Sequence, residues 1–180
     1  MTVAKLDRER AVLVVVDVQE AFAKALADFE EVAAATETLV RGVGELGVPV
    51  VVTEQYPKGL GKTVERIAAA LPAGTEPLEK VRFSATEAEG FDLGGRDQAL
   101  VCGIETHVCV NQTVLDLLAD GVDVQVATDA VGSRTAANRT LGLERMERAG
   151  AAMTSVETAL FELLGGSDAD EFKQVQALVK

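Results

Sequence analysis

The sequence predicts an α/β fold: a doubly wound, six-stranded parallel sheet in a three-layer arrangement, with helices on both faces. Three observations predict it. Valine-rich runs of strand length alternate with segments of helical period along the whole chain. The first run, Ala11–Val16, contains no polar residue, as a strand buried on both faces should. The chain has 180 residues, with no repeat, no low-complexity stretch and no linker long enough to part it, so residues 1–180 are expected to form one domain.

Each element has its own warrant. Ala11–Asp17 is the first strand. Val32, Ala35, Leu39, Val43 and Leu46 recur at helical spacing, and Gly47 ends that helix. Val48–Thr53 is the second strand. Thr63–Leu71 reads as a short helix closed by Pro72. Glu76–Lys80 is a weaker third strand and Ala99–Cys102 a fourth. A sharp turn containing Gly103 leads from it into an amphipathic helix that carries Cys109 in about its first turn. Val122–Ala127 is the fifth strand, Thr135–Ala149 a helix, Ala151–Met153 a short sixth strand and Val156–Leu164 another helix. Asp168–Val179 is expected to be helical as well.

Composition excludes several functions. A net charge of −12 disfavours nucleic acid and anionic membranes as partners. The longest apolar runs are too short to span a bilayer. The opening MTVAKLDRER lacks the apolar stretch of a signal peptide, so a cytoplasmic location is expected. His107 is the only histidine, which rules out a metal site built from several histidines, and neither metal nor cofactor is expected. The two cysteines, Cys102 and Cys109, fall in a strand and a helix with a turn between them, so a disulfide is not expected.

Doubly wound sheets bind ligands beyond the carboxyl ends of their strands, where the strand order reverses. If the order is 3-2-1-4-5-6, that point lies between the first and fourth strands. Asp17 then ends the first strand, Lys80 ends the third, and the Gly103–Cys109 turn follows the fourth, all on one edge. Alone, each residue has an ordinary reading. Asp17 could cap a helix, Lys80 could be a solvated lysine, and Cys109 could be a small buried hydrophobe, the reading that Cys102 receives outright. Cys109 differs in that a thiol at a helix N-terminus meets the positive end of the helix dipole, which favours the thiolate.

The combination of Asp17-Val18-Gln19, the lysine of Lys80-Val81-Arg82-Phe83-Ser84 and the segment Gly103-Ile104-Glu105-Thr106-His107-Val108-Cys109 resembles the isochorismatase-like cysteine hydrolases. That superfamily includes nicotinamidases and N-carbamoylsarcosine amidases. The resemblance runs from Leu13 to about Leu164, and Thr53–Gly61 is similar to the subgroup called isochorismatase domain-containing proteins. It implies the order 3-2-1-4-5-6 and a catalytic set of Cys109 as nucleophile, Asp17 as general base and acid, and Lys80 as the charge that poises them. It also implies a cis peptide at Ile104–Glu105, with the N–H groups of Glu105 and Cys109 forming an oxyanion hole. Each such donor is worth roughly a hundredfold in rate.

The lysine has a physical purpose. A free thiol near pKa 8.5 does not readily pass its proton to a carboxylate near 3.9, a gap of about 6 kcal/mol. Lys80 and the helix dipole are expected to lower the thiol's value. Lys80→Met is therefore expected to impair the site while leaving the fold nearly intact, with Lys62 as a neighbouring lysine of no proposed role. Gln19, Phe22, Tyr56, Phe83, Thr106 and His107 are candidate substrate-binding residues. For His107 a solvated place in the first turn of the helix is an equal reading.

The departures from the family narrow the chemistry. Nicotinamidases carry an aspartate and histidines that bind a metal, whereas this chain has Thr53-Glu54-Gln55-Tyr56-Pro57 after its second strand. The expected activity is thus metal-independent hydrolysis of a small non-peptide amide or ureido compound through a thioester, with a small-molecule substrate and a homodimer or larger homo-oligomer. A vinyl-ether hydrolase of the isochorismatase type and a non-catalytic scaffold are the alternatives. Gly42–Gly47 fits GxGxxG, but it ends a helix where a phosphate cradle must begin one.

Overall fold

The computed structural model describes residues 5–180. Its elements run β1 (Ala11–Val16), α1 (Phe29–Glu45), β2 (Val50–Gln55), α2 (Pro57–Leu60), α3 (Glu65–Ala68), β3 (Leu78–Lys80), β4 (Gln98–Ile104), α4 (Asn111–Ala119), β5 (Asp123–Gly132), α5 (Ala136–Ala149), β6 (Ala152–Thr154), α6 (Val156–Leu164) and α7 (Phe172–Leu178). The six strands are all parallel and lie in the order β3-β2-β1-β4-β5-β6. This is the predicted fold class. β1 sits at the centre, and every one of its residues is buried.

Alternation along β1 divides the core. Leu13 and Val15 join the cluster made with α1, α6 and α7, and Val14 and Val16 join the cluster made with α4. Apolar residues of α1 at helical spacing, Val32, Leu39, Val40 and Val43, are turned to the first cluster. Gly42 lets α1 approach α6 closely, since a Cβ there would lie 2.4 Å from the Leu160 side chain. The GxGxxG stretch is thus a packing feature. The starts of α5 and α6 are capped by Thr135 and Ser155, whose hydroxyls accept from Asn138 N–H at 3.2 Å and Thr158 N–H at 3.1 Å.

The boundaries differ from expectation where tertiary pairing outweighs local pattern. β2 begins at Val50 and continues to Gln55, because Leu13 pairs with Val50 and Gln55 pairs with Lys80. The helix expected over Thr63–Leu71 contracts to the four residues of α3, and α2 precedes it. β5 continues five residues past Ala127. Its pairing with β4 jumps from Val101↔Val126 to Gly103↔Val131, an irregularity opposite Cys102. The remaining strands shift by one or two residues, and the terminal helix is shorter than Asp168–Val179.

Gly103 sets the geometry at the switch point. Its φ is +120°, and a Cβ there would lie 2.0 Å from the Val16 carbonyl oxygen. Glycine is what allows β4 to turn this close to β1. No helix of the described residues is long and apolar enough to cross a membrane.

Candidate active site

Three strand ends converge at the carboxyl edge of the sheet. Asp17 follows β1 with φ at +53°, a left-handed conformation that aspartate tolerates better than most residues and that clusters at functional sites. Lys80 closes β3. The lysine Nζ donates to Asp17 Oδ2 at 2.7 Å, and both side chains are 0% exposed. Thr53 Oγ1 donates to Asp17 Oδ1 at 2.7 Å. Lys80 also donates to Gln55 Oε1 at 2.8 Å, to the Phe83 carbonyl at 2.9 Å and to the Arg82 carbonyl at 3.3 Å.

Cys109 completes the group. Its thiol, buried like the ion pair, lies in the field of Asp17, Lys80 and Glu105. Asp17, Lys80 and Cys109, far apart in sequence, are therefore together. The segment that carries Cys109 is not the first turn of an α-helix. Thr106–Val110 forms a π-helical turn closed by Val110 N–H to the Glu105 carbonyl at 3.2 Å, and α4 begins only at Asn111. The Ile104–Glu105 peptide that enters this turn is cis.

The thiol does not take the charge state that a helix N-terminus favours. Burial is the largest influence, and the Asp17 charge adds to it. Both outweigh the lowering by Lys80, and the Cys109 thiol is pushed up to about 12. At neutral pH the group is a neutral thiol. Cys102, fully buried, is also pushed up to about 12, chiefly by burial.

The turn is held from outside by the end of β5 and by α5. Glu105 accepts from Arg134 N–H at 3.1 Å and Arg134 Nε at 2.9 Å. His107 Nδ1 and Ser133 Oγ lie 3.1 Å apart, so His107 is engaged with the protein and not simply solvated. Gly142 of α5 abuts the turn, since a Cβ there would lie 2.8 Å from the Thr106 carbonyl oxygen and 2.9 Å from His107 N.

The remaining candidates separate. Gln19 is 0% exposed, and its amide is occupied by backbone: Oε1 accepts from Gln55 N–H at 2.8 Å, and Nε2 donates to the Gln55 and Gly61 carbonyls. It braces β2 and cannot wall a pocket. Phe22, in a 3-10 turn over Glu20–Lys24, packs against the α1 cluster, whereas Cys109 belongs to the α4 cluster. Tyr56 and Phe83 are 54% and 51% exposed. Tyr56 lines a groove of about 380 Å³ with Lys80, Val81 and Arg82. Thr106 is buried, with its hydroxyl unpartnered. Lys62 is not without a role either, since its Nζ lies 3.2 Å from Glu54 Oε2, on a carboxylate only 2% exposed.

Sequence reasoning missed Thr53, Gln55, Ser133, Arg134 and Gly142. Thr53 and Gln55 left a signal: two polar residues, two apart, at the carboxyl end of a valine run share one face of the strand. Among the described residues, no group of three or more His, Cys, Asp or Glu is arranged to hold a metal ion.

The model of the isochorismatase domain matches residues 11–158. The chain belongs to the isochorismatase family. The domain is 43% identical over 177 residues to the "Secreted isochorismatase effector Isc1" of Phytophthora sojae, covering 94% of this chain and 84% of that protein. It is 38% identical to "Isochorismatase domain-containing protein 1" of Salmo salar over 91% of this chain, but spans only 59% of that relative's length. Among solved structures, the MAR1 ribonuclease of Caenorhabditis elegans superposes on this isochorismatase domain with a TM-score of 0.93 and 39% identity, covering 98% of this chain and 92% of that one.

Proposed function

We propose that this isochorismatase-family chain is a cysteine hydrolase that cleaves the C–N bond of a small, non-peptide amide or ureido compound through a thioester. The observation that carries the proposal is the buried Asp17–Lys80 ion pair set against the Cys109 thiol. Isolated buried charges are expensive, and a pair aimed at a thiol gives them a chemical use.

In this reading, substrate enters and the Cys109 proton moves to Asp17 as sulfur attacks the carbonyl carbon. The N–H groups of Glu105 and Cys109 hold the oxyanion. Asp17 returns the proton to the departing nitrogen as the C–N bond breaks, which leaves an acyl-Cys109 thioester. Water then loses a proton to Asp17, attacks the thioester and releases the carboxylic acid. The proton returns to sulfur. Lys80 keeps its charge throughout and limits the swing in net charge around Asp17. Tyr56, Phe83, Thr106 and His107 are the proposed substrate contacts, and the proposed compartment is the cytoplasm, in keeping with two unpaired cysteines.

Ammonia release across a panel of small amides and ureido compounds tests the assignment. At least one compound should be turned over, with no loss on adding a chelator and complete loss in Cys109→Ala. Loss on chelation with recovery on adding zinc would contradict the metal-independent mechanism. The name of the Caenorhabditis elegans protein raises ribonuclease activity as a second reading. The net charge of −12 opposes it, and RNA cleavage that persists in Cys109→Ala would be needed to sustain it.

The proposal includes a homo-oligomer. Tyr56, Val81 and Phe83, three of the four large hydrophobics exposed among the described residues, lie at the ends of β2 and β3 beside Lys80. A sedimentation mass above the 18.9 kDa of one chain is expected, and a mass at that value would remove this part.

A further inference from the structure

The Lys80 ammonium has three hydrogens to donate and no lone pair. Three oxygens lie within 2.9 Å of it: Asp17 Oδ2, Gln55 Oε1 and the Phe83 carbonyl, with Arg82 carbonyl farther off at 3.3 Å. One of the three close acceptors, Gln55, is a side chain that carries no charge. Its own orientation is determined by what surrounds it. Gln55 Nε2 donates to the Val81 carbonyl at 2.9 Å, so reversing the amide would set an NH2 group against the ammonium and an oxygen against a carbonyl. Its backbone is clamped on both sides by the buried Gln19 amide, through Gln55 N–H at 2.8 Å and Gln55 carbonyl at 3.0 Å. Gln55 also pairs with Lys80 in the β2–β3 ladder.

We infer that Gln55 is a positioning residue for the hydrolase site: it aims the Lys80 ammonium at Asp17 while leaving the charge of Lys80 undivided. This rests on the cysteine-hydrolase reading above. The choice of residue type is what makes the inference specific. An acceptor at this place must be long enough to reach Nζ and must hold still, and glutamate would satisfy both. A glutamate would also put a second carboxylate on the one ammonium. The positive charge that lowers the Cys109 thiol against burial and Asp17 would then be offset by a new anion close to it. Glutamine supplies the same hydrogen bond without that penalty. Thr53, two residues earlier on the same face of β2, treats the other member of the pair in the same way, with a neutral hydroxyl on Asp17 Oδ1. Gln19 then acts at one remove, by fixing the strand end that carries Gln55.

The test uses the rate constant for alkylating Cys109, measured from pH 7 to 10.5 with the modified peptide identified by mass. It requires no substrate. Four proteins are compared: the unaltered chain, Lys80→Met, Gln55→Met and Gln55→Glu, with a thermal melt of each. Gln55→Glu is expected to move the pH profile upward by about one unit, which is about tenfold slower labelling at neutral pH. Gln55→Met removes the acceptor without adding charge, and labelling is expected to fall by a smaller factor of about three. A residue that only packs would lower the melting temperature and leave both profiles unmoved. That outcome, with Lys80→Met still shifted, overturns the role of Gln55 and leaves the hydrolase reading standing. An unshifted profile in Lys80→Met as well overturns the hydrolase reading itself.

Discussion

Lys80→Met is expected to lower the stability of the protein and to slow labelling of Cys109 together. The ion pair it breaks is 2.7 Å long, and both side chains are 0% exposed. Removing one partner of a buried pair costs about 3–5 kcal/mol, because the other charge stays buried and uncompensated. The variant is thus expected to lose a large part of a typical stability of about 5–15 kcal/mol. Sequence alone suggested a nearly intact fold, since it could not show that Asp17 has no access to water. Asp17→Asn combined with Lys80→Met should recover most of the loss, because no unpaired charge then remains. Labelling of Cys109 at neutral pH should fall by about tenfold or more, the effect of an opposite charge within a few ångströms. Lys62 cannot serve as the control, because it pairs with the buried Glu54. Lys173, exposed on α7, is suitable. An unchanged urea midpoint and unchanged labelling in Lys80→Met, as in Lys173→Met, would show that the pair is neither buried nor coupled to the thiol.

The second large effect is on pH dependence. Burial first, then the charge of Asp17, pushes the Cys109 thiol up to about 12. In the protein without substrate the thiolate fraction should then grow tenfold per pH unit well beyond 8.5. Alkylation of Cys109 is expected to rise about a thousandfold from pH 7 to pH 10 without a plateau. Stability carries the opposite sign. Cys102 and Cys109 both have native values raised above the ordinary thiol range, so the native state holds more protons than the unfolded chain above about pH 8.5. The stabilisation is complete below that value and is lost as pH rises toward 12, by up to about 1.4 kcal/mol per unit for each thiol. Stopped-flow alkylation and urea melts over pH 7–11 check both. A labelling profile that levels near pH 8.5 would mean that an ordinary, solvated thiol occupies position 109.

The sheet and the site differ in how far sequence could reach them. The valine run made β1 readable, because a strand buried on both faces leaves little ambiguity, whereas the strand order came from the resemblance to the isochorismatase-like hydrolases. Asp17 and Lys80 were readable as strand-end residues and Cys109 as part of the turn after the fourth strand, all on one edge if the order was 3-2-1-4-5-6. What sequence could not show was set by contacts between distant segments. The π turn at Thr106–Val110 depends on α5 pressing Gly142 against it and on Arg134 reaching Glu105. The extension of β2 to Gln55 depends on its pairing with Lys80. The charge state of the Cys109 thiol escapes sequence for the same reason. A helix dipole is a local feature, whereas burial is a property of the whole fold, and at Cys109 burial has the greatest influence. Phe22 and Gln19 were reasonable pocket candidates by their nearness to Asp17 in sequence, yet the chain after β1 turns one into the α1 cluster and the other into β2.

The central claim is that Cys109 becomes covalently acylated during turnover. Acid quenching during hydrolysis of the amide that releases ammonia fastest, followed by mass mapping of the protein digested after glutamate, tests it directly. Cleavage at Glu105 parts Cys102 from Cys109. The expected result is a mass increase equal to the acyl group on the peptide carrying Cys109, absent from the peptide carrying Cys102 and absent in Cys109→Ala. Continued ammonia release by Cys109→Ala, with no adduct on the unaltered protein, would contradict it.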